Sequence, residues 1–157
     1  MTATIELKDI DGFTALVIRR RITRDAIAET LGECLPRVFE HAQQRGLTLA
    51  SPPFARYPEV SLGGFVIECG FAIAEPGEAL LPAGELELIE VAPCRAATAV
   101  HHGTYDTLPE TYGAIEQWLQ THGMAPGGAA WETYVTDPGE HPDPADWMTE
   151  VVQPVVS

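Results

Sequence analysis

Residues 25–38 read DAIAETLGECLPRV and residues 106–119 read DTLPETYGAIEQWL. At an offset of 81 residues, Asp25, Glu29-Thr30 and Gly32 recur as Asp106, Glu110-Thr111 and Gly113, while Ile27, Leu31, Cys34 and Val38 fall on Leu108, Tyr112, Ile115 and Leu119. Both stretches carry apolar residues at helical spacing, so each is expected to form an amphipathic helix, and the two helices share one apolar register. A repeat of this kind decides the architecture ahead of local propensity.

Working outward, the first helix is expected from Asp25 to about Arg45, stopped by Gly46, with a kink or an irregular start where Pro36 removes a backbone donor. Ahead of it, Ile5–Leu7 and Thr14–Arg20 read as strands joined at Asp11-Gly12 in a hairpin-like opening, and after it come strands at Phe54–Val60 and Phe65–Ile73. The second half repeats the order: strands at Glu85–Val91 and Arg95–His102, a helix from about Pro109 to His122, then strands at Trp131–Thr136 and Met148–Val155. Past the helices the offset becomes 77, placing Gly46 on Gly123, Phe54 on Trp131 and Tyr57 on Tyr134; it then becomes 82, placing Phe65, Glu68 and Ile73 on Trp147, Glu150 and Val155. The expected fold is α+β, one domain over residues 1–157 made of two ββαββ modules at about 1–74 and 85–157 with a linker at about 75–84. The modules are expected to fuse into one antiparallel sheet carrying both helices, pseudo-twofold, with a ligand cleft where the modules meet.

Composition narrows the function classes. The chain has 157 residues, 45% of them hydrophobic and 20% charged, as in an ordinary globular domain with a packed core. Nine Lys plus Arg against 23 Asp plus Glu give a formal charge of −14, which repels phosphate backbones and argues against direct nucleic-acid binding. Arg19, Arg20, Arg21 and Arg24 form a local basic cluster at a strand end, read as a solvated turn because no DNA-reading motif accompanies it. Cys34, Cys69 and Cys94 are odd in number and embedded in apolar stretches, as buried free thiols in a reducing compartment would be. With no signal-peptide pattern and no run near the roughly 18 apolar residues that cross a bilayer, a cytoplasmic location without membrane attachment is expected.

The residues that carry chemistry gather in the second half. On the strand from Trp131 to Val135, alternation sends Trp131, Thr133 and Val135 to one face and Glu132 with Tyr134 to the other. If that second face lines the cleft, a partly desolvated carboxylate beside aromatic rings attracts lipophilic cations through Coulomb and cation–π terms; otherwise Glu132 faces water on an open strand. The matching position in the first half is Ala55. His101-His102-Gly103-Thr104-Tyr105-Asp106 joins a strand to a helix, Thr107-Leu108-Pro109-Glu110 reads as a capping box, and Tyr105 sits next to the expected junction. Tyr112 shares the apolar stripe with Leu108, Ile115 and Leu119, which places it in the core. Adjacent His101 and His102 point to opposite strand faces, so neither a metal site nor any other cofactor is expected. A G-x-S-x-G elbow and a lysine-bearing phosphate loop are both lacking; Gly63-Gly64 and Gly127-Gly128 do not supply one.

Several of these motifs together resemble the GyrI-like family. They are Leu81-Pro82-Ala83-Gly84, His101 with Gly103 and Tyr105, and Tyr112 with Trp118; then Trp131-Glu132-Thr133-Tyr134 followed by Thr136-Asp137-Pro138; and finally Trp147-Met148-Thr149-Glu150-Val151 with Pro154-Val155. In the first half, Pro52-Pro53-Phe54-Ala55-Arg56-Tyr57 and the stretch from Glu68 to Ile73 are similar too. The resemblance implies a bacterial small-molecule-binding domain, the effector-binding part of AraC-type and MerR-type transcription regulators, here expected in stand-alone form without a helix-turn-helix. It implies multidrug-like binding of hydrophobic, often cationic effectors, with a glutamate at the position of Glu132 facing an aromatic pocket. Glu132 is then the expected anchor, and Tyr134, Tyr105, Tyr57, Trp131, Trp147, Tyr112 and His101 are the candidate ligand-binding residues around it. Two other activities come with the resemblance. One is hydrolysis of cyclopropane-bearing or other strained electrophiles, with Glu132 as general base and Tyr105 or Tyr134 giving a proton; the other is modulation of DNA gyrase through protein contacts.

Overall fold

The computed structural model of the chain describes residues 4–61, 64–74, 86–136 and 140–156. The linker expected at 75–84, with Leu81-Pro82-Ala83-Gly84, lies outside the described residues, as do Gly63, Asp137-Pro138 and the side chains of Arg24 and Asp106. In chain order the elements are β1 (Ile5–Ile10), β2 (Phe13–Ile22), α1 (Ile27–Gln44), β3 (Thr48–Leu49), β4 (Phe54–Ser61), β5 (Gly64–Ala74), β6 (Leu86–Val91), β7 (Cys94–His102), α2 (Leu108–Thr121), β8 (Ala125–Pro126), β9 (Trp131–Tyr134) and β10 (Met148–Val156). Single 3-10 turns at Arg24–Ala26 and Tyr105–Thr107 lead into the two helices. The fold is α+β, and its strands pair antiparallel.

Two compact units divide the chain, one spanning Gly12–Ala92 and the other Met1–Asp11 with Pro93–Ser157. In the first, the strand order is β4-β5-β2-β6, with β3 beside β5 and α1 against β5 and β2. In the second it is β1-β7-β10-β9, with β8 beside β10 and α2 against β7 and β10. These units are not the sequence halves, because each repeat gives its first strand to the other. Nor do β1 and β2 form the hairpin that Asp11-Gly12 invites: β1 pairs with β7, Ile5 opposite Ala99 through Ile10 opposite Cys94. The reason is hydrogen-bonding capacity. Strand β2 already has β5 on one edge and β6 on the other, so it has no ladder left to offer β1.

Within this exchanged arrangement the repeat holds residue by residue. Leu86, Ile18, Cys69 and Ala55 are successive cross-strand partners in one unit. Ile5, Ala99, Val151 and Glu132 are their counterparts in the other, at the same sequence offsets. Both helices also end alike. Leu47 and Met124 donate to the carbonyls of Ala42 and Leu119 at 2.9 Å, and Gly46 and Gly123, each at φ 69°, donate to Gln43 and Gln120. This double bond pattern with a left-handed residue favours glycine at both positions. Helix α1 runs through Pro36 unbroken as a helix even though the ring removes the donor for the Gly32 carbonyl.

Each unit buries the sheet face under its helix. In the unit with α2, Ala97, Ala99, Val151, Leu108, Ile115 and Leu119 form the core, with Tyr105, Tyr112 and Trp118 packed on it. In the other, buried Cys34, Val38 and Ala42 of α1 lie over a sheet whose Leu16, Ile18, Ile67 and Cys69 are fully enclosed. Cys34 and Cys69 are in hydrogen-bonding contact there, whereas Cys94 is only half-buried, unlike the expectation for three buried thiols. Burial pushes the Cys69 thiol up to about 12, and the neighbouring Cys34 adds to it. The capping box at Thr107 does not form either: its hydroxyl donates to the Thr104 carbonyl at 2.9 Å instead of capping α2.

Arg19, Arg20 and Arg21 of the basic cluster carry ion pairs while staying partly exposed to solvent. Arg19 donates from Nε and Nη2 to Glu68 at 3.0 and 2.5 Å, and Arg56 donates to the other carboxylate oxygen at 2.6 Å. Arg20 pairs with Glu33 and Arg21 with Glu59. Glu68 is 1% exposed, so it needs these partners, while the two guanidiniums keep some contact with water. Among the described residues, no helix is long and apolar enough to cross a membrane.

Glu68→Gln leaves two guanidiniums facing a neutral amide, and urea denaturation is expected to show a loss of about 2–3 kcal/mol, below the cost of breaking a fully buried pair because the arginines can rehydrate. For the thiols, the unfolded chain ionises Cys69 near the ordinary value of 9.0 while the folded chain retains the proton up to about 12. The folded state therefore binds more protons between those values, and stability is expected to fall with rising pH across that window. Thiol titration of the native protein near pH 8 should modify Cys94 first, with Cys34 and Cys69 reacting only after unfolding.

Candidate functional site

Strand β9 is only four residues long, and its ladder with β10 is regular: Trp131 opposite Val152, Glu132 opposite Val151, Thr133 opposite Glu150 and Tyr134 opposite Thr149. Directly opposed residues share a face. Since Val151 belongs to the core beneath α2, Glu132 and Tyr134 lie on that same helix-side face, and Glu132 is 6% exposed. The carboxylate does not face open water.

Two phenols meet it, one on each oxygen. Tyr112 of α2 donates its hydroxyl to Oε1 at 2.8 Å, and Tyr134 of β9 donates to Oε2 at 2.9 Å. Hydrogen bonds to an ionised acceptor are short and strong, and they offset part of the cost of taking the carboxylate out of water. The donors themselves are neutral, so they hold the anion without adding a positive charge. Tyr112 thus belongs both to the core, as its place in the apolar stripe predicts, and to the polar site, which that stripe does not predict.

An aromatic run extends from Tyr134. The ring of Tyr105, set in the 3-10 turn before α2, lies 5.4 Å from Tyr134 at 57° and 5.2 Å from Trp147 at 32°. Trp147 is itself tied down, its indole N–H donating to the His141 carbonyl at 2.6 Å and its carbonyl accepting from Gly103 at 3.0 Å. Behind these rings, His101 pins the turn that carries Tyr105. Its Nε2 lies 2.9 Å from the Thr104 carbonyl, which can only accept, so Nε2 is the donor there, and Nδ1 lies 2.7 Å from the Thr111 hydroxyl. Thr107 Oγ1 sits 2.9 Å from the same Nε2.

Glu132, Tyr112, Tyr134, Tyr105 and Trp147 are therefore linked within one unit. Trp131 is not among them, because the unbroken ladder with β10 puts it on the opposite face of β9, with no bulge to re-aim it. Tyr57 belongs to the other unit, where its ring meets Phe65 edge-on at 6.2 Å. His101 holds the strand-to-helix turn through threonines and is not in the hydrogen-bonded group around Glu132. A signal for Tyr112 was present in the repeat. The first half has Leu31 and Ala55 where the second has Tyr112 and Glu132, so two apolar positions become a phenol and a carboxylate together.

Comparison with known proteins shows which family the chain belongs to. The chain matches the GyrI-like small molecule binding domain over residues 3–156. A search of curated proteins finds no match. Among solved structures, the EcmrR C-terminal domain is 23% identical with a TM-score of 0.85, covering 100% of this chain and 99% of that one. EcmrR in its complex with DNA is 24% identical at TM-score 0.82, and this chain, 99% covered, spans 58% of it. SAV2435 bound to tetraphenylphosphonium is 11% identical at TM-score 0.68, covering 98% of this chain and 94% of that one. At these identities the likenesses establish the fold, and with the match along nearly its whole length the chain belongs to the GyrI-like small molecule binding domain family.

Proposed function

We propose that this domain binds hydrophobic small molecules, cationic or aromatic, with Glu132 as the electrostatic anchor and Tyr112, Tyr134, Tyr105 and Trp147 as the aromatic surroundings. The observation that carries this reading is the buried Glu132 carboxylate, held by two phenols at 2.8 and 2.9 Å beside a run of tilted aromatic rings in contact. A carboxylate in low dielectric attracts a cation far more strongly than one in water, and aromatic faces add cation–π attraction for large, weakly hydrated cations. SAV2435, with the same fold, is bound to tetraphenylphosphonium, a cation of that kind. Such ligands would act as effectors or be sequestered, as in the effector-binding domains of transcription regulators.

The structure of the site also favours a second, narrower reading. A carboxylate already hydrogen-bonded to two hydroxyls is an acid–base arrangement, able to activate water while a tyrosine supplies a proton to a strained electrophile. One structural neighbour, 11% identical at TM-score 0.63, is described as a hydrolase from Listeria innocua. Turnover of a cyclopropane-bearing alkylating agent by the wild type, lost in Glu132→Gln, would establish that activity; recovery of the compound unchanged would exclude it for that class.

For binding, calorimetric titration with tetraphenylphosphonium is expected to give saturable binding that Glu132→Gln weakens about tenfold or more, equivalent to at least about 1.4 kcal/mol. A neutral aromatic of similar size, such as triphenylphosphine oxide, should bind both proteins alike. Equal affinity of the cation for wild type and variant would remove Glu132 as the anchor.

A further inference from the structure

On the same sheet face as this carboxylate stands a buried hydroxyl that has no hydrogen-bond partner among the described residues. Thr149 of β10 is 0% exposed, and its Oγ1 has no hydrogen-bond partner among the described residues. Its direct cross-strand partners are Tyr134 on β9 and His101 on β7, so it stands on the helix-side face, one rung along from the Val151–Glu132 pair. The neighbouring polar groups are committed elsewhere: His101 uses its nitrogens on Thr104, Thr107 and Thr111, and Tyr134 donates to Glu132.

Buried hydroxyls in native proteins are almost always satisfied, and valine would fill the same space on a strand with no polar group to desolvate. A threonine kept here without a protein partner therefore costs stability, and such costs concentrate where function requires them. Other unpartnered buried atoms exist, on His41, Arg56 and Glu87, but they belong to side chains of the other unit, and Arg56 and Glu87 already make ion pairs. Thr149 alone of these shares a sheet face with Glu132.

We propose that the Thr149 hydroxyl is a hydrogen-bonding contact of the ligand site, donating to an oxygen of the bound molecule while Glu132 meets its charge. The preferred ligand class is then an aromatic cation carrying a carbonyl or ether oxygen, rather than a hydrocarbon cation alone. This rests on the reading of Glu132 as the anchor. It adds a specificity determinant that the charge by itself does not supply, because a site with a hydroxyl to satisfy discriminates by what satisfies it.

The test combines Thr149→Val with two kinds of probe, tetraphenylphosphonium itself and its analogues bearing one para-methoxy or para-acetyl group. Thr149→Val is expected to raise the melting temperature of the ligand-free protein, since it deletes an unsatisfied group. It should leave tetraphenylphosphonium affinity within about twofold and weaken at least one oxygen-bearing analogue about fivefold or more, as loss of one neutral hydrogen bond would. Thr149→Ser, which keeps the hydroxyl, should keep the discrimination. A lower melting temperature in Thr149→Val would show that the hydroxyl is satisfied within the fold and would overturn the proposal. So would an equal effect, or none, on the two kinds of probe. If tetraphenylphosphonium fails to bind the wild type, the anchor reading fails and this one falls with it; if it binds and only the discrimination is absent, Thr149 alone is wrongly assigned.

Discussion

A carboxylate placed on the apolar, helix-covered face of a sheet has to be compensated, and at Glu132 the compensation comes from two elements at once. Tyr134 reaches it from two residues along the same strand, and Tyr112 reaches down from α2. The pair of bonds constrains much of what surrounds it. It sets the side of α2 that faces β9, it orients Tyr134 so that its ring meets Tyr105, and through Tyr105 it connects to Trp147. A phenol is suited to the task because its ring packs as a hydrophobe while its tip donates, so Tyr112 can belong to the core and to the polar site together.

The other unit buries a carboxylate by the opposite strategy. Glu68 sits between Arg19 and Arg56 from the two flanking strands, with bonds of 2.5 to 3.0 Å. Guanidiniums cancel charge, whereas phenols only solvate it. The repeat has thus preserved a backbone while its two copies diverged in electrostatics: one carboxylate is part of a structural ion-pair network, and the other is set among aromatic rings. At the place of Glu132 the first copy has Ala55, opposite Cys69, which fits a packed interior. A duplicated fold whose copies differ at this one position can keep one half as scaffold and devote the other to chemistry.

Exchange of the first strands is what makes these units compact. Strand β2 is buried on both faces over Ala15 to Ile18 and uses both hydrogen-bonding edges, with β5 and β6 as neighbours. Strand β1, with its exposed Glu6 and Lys8, suits the outer place beside β7. The result groups β9, β10 and β7 with β1 in one unit, although the chain contributes them from both ends.

From sequence alone, the repeat, both helices, nearly all the long strands and the candidacy of Glu132 with Tyr134 were legible, because helical period, strand alternation and internal offsets are local quantities that any contiguous stretch displays. The exchange of β1 and β6 was not, since a two-residue connection at Asp11-Gly12 is equally compatible with pairing and with parting, and only the full occupancy of β2's edges decides between them. Tyr112 was a candidate by resemblance, but its bond to Glu132 was not legible, since its period marks it as core while its hydroxyl finds its acceptor 20 residues away. Alternation left Glu132 a choice between water and interior. That choice was made by α2, which covers the sheet face where the carboxylate stands, and covering a face is something one strand cannot do for itself.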